Sequence, residues 1–337
     1  TSYNSSETVA PISIGNSVYL PNHHGDWLNI NKYNGATQDL TPDAADNITQ
    51  HARKYIDGNV NSLAGLPNHG LIFANSSVGQ TVYVCNYDTM LSRSEEKRFA
   101  WFKWNDFTDD STYRIRSIAT TKNTLLLVID GANGMELLKM DMDSGISKVY
   151  LDSQVVNTST NTTIDLGSNY SISLAEIKVV QGTGCPAPGD YVDTVSLVGG
   201  VLTIDTDMGG GTVYVGREFN CQVVPNLVSI RDEGGSVNNA ANLRINGFEI
   251  RIRDTGPITA TERSPWDTYP TQEFTGFVSG SLDAITDQEA KATDIFKVGF
   301  KQKADEGTVL IESKSWLPMT ITQIDWRGNY ISRGRRF

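Results

Sequence analysis

Between Val60 and Trp104 the chain passes through four short runs of apolar and β-branched residues, each closed by a turn signal. The runs are Val60–Leu66, Leu71–Ala74, Thr81–Cys85 and Phe99–Trp104. Pro67-Asn68-His69-Gly70 separates the first two, and Asn75-Ser76-Ser77 with Gly79 separates the next two. Residues of this kind suit a pleated, half-buried surface, and the turn spacing is that of an antiparallel meander. Four strands in succession form one blade of a β-propeller.

The pattern then recurs. Ser62-Leu63-Ala64 is echoed by Ser117-Ile118-Ala119, Leu71-Ile72-Phe73 by Leu125-Leu126-Leu127, and Val82-Tyr83-Val84 by Leu137-Leu138-Lys139. A fainter copy lies upstream in Val18-Tyr19-Leu20 and Trp27-Leu28-Asn29-Ile30. Copies offset by roughly fifty-odd residues fall within the periods of propeller blades. Alternation along the fourth run puts Phe99 and Trp101 on one side and Phe102 and Trp104 on the other, which predicts packing between adjacent blades. The same rings could stack sugars, as in propeller lectins and glycosidases. A glycosidase would also need two convergent carboxylates.

After Tyr150 the composition changes. Ser153 to Asn169 is rich in Thr, Ser and Asn, and short strands separated by glycines follow. Asp207-Met208-Gly209-Gly210-Gly211 reads as a hairpin tip. Further on, Leu243 to Arg253 alternates strictly: Leu243 and Ile245 share a side, Gly247 shifts the phase, and Phe248, Ile250 and Ile252 follow. Arg244, Arg251 and Arg253 then line the opposite face, as on a solvated sheet with cross-strand ion pairs. Near the end, Met319, Ile321 and Gln323 are expected on one face, and Thr320, Thr322 and Ile324 on the other. Helix signals are thin, and Asp283 to Ala292 is the best of them. The expected fold is all-β: incomplete or irregular β-propeller blades, an inserted small β-domain and a C-terminal β-strand region. The expected boundaries are blades over 1–150, an acidic insertion over 151–216, an antiparallel β-domain over 217–308, and strands with a basic tail over 309–337.

Composition adds constraints. At 337 residues, 39% hydrophobic and 20% charged, the chain can bury a sizeable core and is not a disordered polymer. No apolar run approaches the ~20 residues of a membrane helix, and no signal-peptide pattern opens the sequence. Thr1-Ser2-Tyr3 leads quickly into strand pattern, which reads as a fragment lacking an upstream region. A net charge of −11 argues against gripping nucleic acid, because phosphate binding needs Lys and Arg to displace counterions. The charge is uneven. Leu151 to Gly216 holds Asp152, Asp165, Glu176, Asp190, Asp193, Asp205 and Asp207 against Lys178, whereas the final stretch holds Arg327, Arg333, Arg335 and Arg336 and no acid. Such asymmetry marks solvated faces or complementary contacts between subunits.

Chemistry-bearing motifs are absent. The sequence has no HExxH, GxSxG, Walker loop or dinucleotide fingerprint in a strand-to-helix setting, so no catalytic residue, cofactor or metal ligand is expected. His23-His24-Gly25-Asp26 reads as an exposed turn. Asp141-Met142-Asp143-Ser144-Gly145 lacks the later Glu and the in-register glycine of a calcium loop. Asp109-Asp110 and Glu95-Glu96 are neighbours whose carboxylates point apart. Cys85, Cys185 and Cys221 show no CxxC spacing; Cys185 and Cys221 could pair, but nothing requires it, and a reducing assembly compartment is expected.

Three blocks of residues carry a family resemblance. They are His51-Ala52-Arg53-Lys54-Tyr55-Ile56 with Val60-Asn61-Ser62-Leu63-Ala64; Val82-Tyr83-Val84 leading to Ala100-Trp101-Phe102-Lys103-Trp104; and Ile311-Glu312-Ser313 with Leu317-Pro318, Trp326-Arg327-Gly328-Asn329-Tyr330 and Arg333 to Arg336. In this order they resemble the C-terminal part of the tail nozzle proteins (tail tubular protein B) of short-tailed bacteriophages. Val155 to Cys221 matches least. The resemblance implies a structural virion protein, not an enzyme, assembled in the host cytoplasm. Its subunits would form a six-fold ring below the adaptor on the portal, near the tail fibres, with propeller-like domains around the channel through which the genome leaves. Arg327, Arg333, Arg335 and Arg336 become candidates for the subunit interface, since a closed ring needs head-to-tail contacts that opposite charges help specify. An acidic conduit wall would keep DNA mobile. The alternative is a propeller-based glycan-binding or glycan-degrading receptor protein of a phage tail.

Overall fold

A computed structural model describes residues 9–14, 17–24, 27–34, 46–49, 52, 55–56, 60–76, 79–87, 99–108, 112–132, 134–142, 149–158, 162–167, 170, 172–229, 241–264, 270–275 and 291–332. Among them the fold is all-β, apart from a short 3-10 turn at Pro67–His69. The chain forms two compact units, Thr1–Ile146 and Ser147–Phe337.

The first unit holds three antiparallel sheets. Strands β1 (Ile12–Ile14), β2 (Ser17–His24), β3 (Trp27–Asn34) and β4 (Asp46–Asn47) make the first. The second contains β5 (Val60–Leu66), β6 (Leu71–Ser76), β7 (Val82–Tyr87) and β8 (Phe99–Trp104), in that order, as the turn signals predict. The third contains β9 (Arg114–Thr121), β10 (Thr124–Gly131) and β11 (Gly134–Asp141). The turn after β5 ends at Gly70, whose φ of 63° is left-handed and whose Cβ, if present, would stand 2.8 Å from the Tyr87 carbonyl oxygen.

The middle sheet is buried on both faces, which is why its strands read as nearly continuous apolar runs. Leu63, Ile72, Ala74, Tyr83 and Cys85 share a core with Ile14 and Tyr19 of the first sheet. Ala64, Leu66, Leu71, Phe73, Val82 and Val84 share another with Ile115, Ile118, Leu125, Leu127 and Ile129 of the third. Polar stitches add register between the second and third sheets. Ser62 Oγ donates to Asn75 Oδ1 (2.5 Å) and accepts from the Ile118 N–H (3.1 Å). Asn75, fully buried, donates to the Ile115 carbonyl (3.0 Å), and Thr120 Oγ1 donates to the Gly65 carbonyl (2.8 Å). Neighbouring sheets approach along their first strands: a Cβ on Gly65 of β5 would stand 2.5 Å from Ile14 Cδ1 of β1.

Strand pairing refines the repeat. Ala64 pairs with Phe73 and Phe73 with Val84; Ala119 pairs with Leu126 and Leu126 with Lys139. The first and third echoes are therefore in register, and the middle one is one residue out: Phe73 corresponds to Leu126, not Leu127. Three consecutive leucines fit either phase, so the sequence pattern alone does not choose. The far face of the third sheet carries Leu126, Val128, Met135 and Leu137; Met135 and Leu137 are 73% and 65% exposed.

In the second unit, β12 (Asp152–Thr158), β13 (Thr163–Asp165), β14 (Ile177–Gln181), β15 (Tyr191–Val192), β16 (Thr194–Val198), β17 (Val201–Ile204) and β18 (Thr212–Arg217) form two sheets. Their orders are β12-β18-β14-β15 and β13-β17-β16. The glycine-rich run 207–211 is not a hairpin tip. It carries the chain from β17 in one sheet to β18 in the other, and Met208, fully buried, fills the core between them. Beyond lie β19 (Cys221–Val223), β20 (Ala241–Thr255), β21 (Ile258–Arg263), β22 (Gln272–Phe274), β23 (Ala292–Gly299), β24 (Thr308–Ser313) and β25 (Ile321–Ser332). They form sheets ordered β19-β24-β21-β22 and β23-β20-β25, so the last two strands complete sheets begun before residue 308.

Leu243, Ile245, Phe248, Ile250 and Ile252 of β20 all enter the core, and the pairing slips between Ile245 and Gly247 where the phase shift is expected. The faces expected for β25 need correction. Ile321 and Ile324 both pack on the core, because a second slip, between Arg251 and Ile252, breaks the alternation. Ala292 opens β23, Lys291 before it is not helical, and 283–290 lie outside the described residues.

Candidate assembly surfaces

The aromatic strand β8 sits between two cores. Phe99 and Trp101 pack against the cluster shared by the first and second sheets, and Phe102 and Trp104 against the cluster shared by the second and third. The Trp101 indole N–H donates to the Ile48 carbonyl (3.0 Å), and the Trp104 ring lies 5.6 Å from that of Phe73. Lys103 places Nζ 4.4 Å from the centre of the Tyr55 ring, a cation–π contact that joins two of the blocks carrying the family resemblance.

Beside β8, the thiol of Cys85 is fully buried, and burial pushes it up to about 12 from an ordinary 9.0. Burial also raises Tyr19, with the nearby Tyr87 and Cys85 adding to it. A thiol with a raised folded value ionises first in the unfolded chain. Its contribution is thus complete below an ordinary thiol's range and is lost as pH climbs to about 12. The denaturation midpoint of the first unit should hold steady to about pH 8.5 and then fall. Cys85→Ala should flatten the onset of that fall while lowering the neutral-pH midpoint slightly. Denaturant titration at stepped pH measures both.

Arg327 lies on β25, with its side chain 73% exposed and its guanidinium 2.6 Å from Glu249. Arg251 pairs with Asp325 at 3.5 Å on the same sheet, while Arg244 and Arg253 are exposed. Arg333, Arg335 and Arg336 lie outside the described residues, as do Glu95-Glu96, Asp109-Asp110, the Asp143 end of the calcium-like run, and the side chains of His23 and His24. The acidic stretch divides: Arg217 reaches Asp152 (3.6 Å) and Glu176 (3.8 Å), whereas Asp165, Asp193 and Asp205 are exposed and have no cationic partner among the described residues. All three cysteines are free thiols, and Cys185 donates to the Thr212 carbonyl at 3.1 Å. Among the described residues no group of His, Cys, Asp or Glu could hold a metal ion.

Two exposed apolar sites escape the sequence reading. One is the hairpin Val198-Gly199-Gly200-Val201, with Val195 59%, Val198 74% and Val201 40% exposed. Its signal was available, since Gly-Gly between apolar alternating runs marks a two-residue hairpin. The other is Trp326 and Tyr330 on β25, 41% and 47% exposed; no sequence pattern separates them from core aromatics.

Antiparallel sheets account for almost all of the described residues, which makes this an all-β protein. The bacteriophage nozzle protein family matches residues 1–337, and the chain belongs to that family, whose members are structural components of the phage tail. No curated protein matches the sequence. Among solved structures, the chain is similar to an exo-β-1,3-galactanase from Phanerochaete chrysosporium bound to galactose. The identity is 8% and the TM-score 0.24, over 92% of this chain and 65% of the galactanase. A variant of that galactanase with β-1,3-galactotriose gives 9% and 0.25 over the same shares. A glycoside hydrolase gives 9% and 0.21 over 95% of this chain and 83% of its own. The chain thus spans 65% of the galactanase's length. No helix among the described residues is long and apolar enough to cross a membrane.

Proposed function

We propose that the chain is a subunit of a six-fold nozzle ring that lines the DNA-ejection channel, attaches below the adaptor and portal, and neighbours the tail fibres. The family match over residues 1–337 carries this reading. The stacked sheets of the first unit fit consecutive propeller blades. Each is a meander, neighbours bury whole faces, and they approach along their first strands. The open face at Met135 and Leu137 is where a further blade would pack. Free thiols suit assembly in a reducing host cytoplasm.

The wall of the ring is passive. A net charge of −11 repels phosphates, so DNA passes without specific binding, and an assembled channel lined by Lys and Arg would remove this part of the reading. No reaction is assigned to the chain. The rings that a glycan-binding reading would use, Phe99, Trp101, Phe102 and Trp104, are committed to the two cores beside β8. Native mass measurement of the full-length protein, alone and with its adaptor ring, should return six copies. A lone monomer that releases new reducing ends from host-surface polysaccharide would overturn the proposal.

A further inference from the structure

We infer that Glu262 is a proton-operated fastener between the two sheets of residues 221–332, and that the seam between them tightens when its carboxylate takes up a proton. Ile258, Ala260 and Glu262 share one face of β21 by even spacing, and the first two belong to the core between those sheets. Val309, the partner of Glu262 on β24, belongs to it as well. Glu262 is thus a carboxylate at a core position, and it is 7% exposed. Its Oε1 is buried and meets no hydrogen-bond partner among the described residues. The hydrogen bonds that Glu262 accepts come from the Gln302 side chain and the Lys301 N–H. Both donors sit in the connection from β23 to β24, and that connection is held on β20. The Gln302 carbonyl accepts from the Ile245 N–H (3.0 Å), and the Ala304 N–H donates to the Leu243 carbonyl (2.9 Å). One carboxylate therefore joins β21 in one sheet to a segment bound to β20 in the other.

An ionised carboxylate with one oxygen out of water and without a donor is costly, and the neutral acid is far less so. Burial accordingly raises Glu262 above the ordinary carboxylate range, held back by Gln302, by the Lys301 N–H and by the Lys301 charge. The other neighbouring elements bring little charge to it. Lys303 and Glu306 of the same connection pair with each other at 2.6 Å, while Asp305 and, on β21, Arg263 are exposed. Strand β20 turns Leu243 and Ile245 to this core and Arg244 away from it, and β22 sets Gln272 opposite Ala260. A carboxyl raised in the folded chain takes its proton there first. Its stabilisation is complete below the ordinary value of 4.5 and is lost as pH rises through the folded value. Mild acidification therefore strengthens the second unit at this position, the reverse of what a salt-bridged carboxylate does.

Denaturant unfolding of the full chain between about pH 8 and about pH 4.5 tests this, with the transition of the first unit as internal reference. Wild type and Glu262→Gln share every other titrating group, so those groups cancel in the difference between them. The wild-type second unit should gain on Glu262→Gln as pH falls, by up to about tenfold in the folding constant per pH unit, the limit for one proton. Gln302→Ala removes a donor to the charged form, so in that background the gain should begin at higher pH. Glu262→Met, close in volume and uncharged, replaces Glu262→Gln if that variant does not fold. A difference that stays constant across the range overturns the inference, and so does a wild type that loses ground on acidification. A gain that begins at the same pH with and without Gln302 overturns the assignment to this carboxylate.

Discussion

Phe73→Ala is expected to cost about 3–5 kcal/mol, the usual range for emptying a packed aromatic site. Phe73 is fully buried on the face of the middle sheet that meets the third, next to Trp104 and in one core with Leu125 and Leu127. The residue has little room to relax, because the sheets on either side of that core are also held by hydrogen bonds. Ser62 and Asn75 reach the Ile118 N–H and the Ile115 carbonyl, so the gap cannot close by sliding one sheet over the other without breaking them. Guanidinium unfolding of the full chain should show the transition of the first unit move to lower denaturant while that of the second stays in place. Leu137→Ala is the control. It lies on the exposed far face of the third sheet and should shift nothing by more than about 0.5 kcal/mol in the monomer. Equal losses from the two substitutions would mean that the sheets do not stack as described.

The middle sheet was the most legible part of the chain because every local signal agreed there. Turn residues, β-branched runs and even spacing all point to the same four strands, and the pairing follows. The long strand β20 was legible for the same reason: strict alternation with one glycine out of step gives both the core face and the slip. Legibility failed where a signal had two solutions. Three leucines in β10 match the repeat in two phases, and partner strands decide between them. The glycines of 207–211 resemble a hairpin, but their flanking strands belong to different sheets, and a buried methionine in the connection is visible only when both sheets are present. In β25 a slip opposite Arg251 and Ile252 has no glycine to announce it. The candidate surfaces divide in the same way. The charge imbalance can be read from composition, but exposure of Trp326 depends on where its sheet ends, and pairing of Arg217 with two acids depends on which strands adjoin.

Trp316→Ala should be the second large loss, again about 3–5 kcal/mol, and this time in the second unit. Trp316 is buried in the connection from β24 to β25, in a cluster with Leu151, Val180 and Leu317. Its backbone carbonyl accepts from the Tyr150 N–H (2.8 Å), and its backbone N–H donates to the Tyr191 hydroxyl (3.4 Å), which in turn donates to Glu218 (2.7 Å). Alanine keeps both backbone bonds; the side chain adds the packing against Leu151 and Val180, so removing it should loosen the link between the sheets of 152–217 and those of 221–332 as well as weaken them. Trp316→Phe separates two contributions. The indole N–H is buried and meets no acceptor among the described residues, a cost of about 1–3 kcal/mol for such a group. Phenylalanine gives up some buried area but also removes that donor, so its net effect should lie within about 1 kcal/mol of zero. Calorimetry of the three proteins decides. A Phe variant as weak as the Ala variant would show that the indole's size, and not the mere presence of an aromatic ring, holds the two sheet pairs together. A split of the second unit's single transition into two, seen with Ala alone, would locate the coupling at this residue.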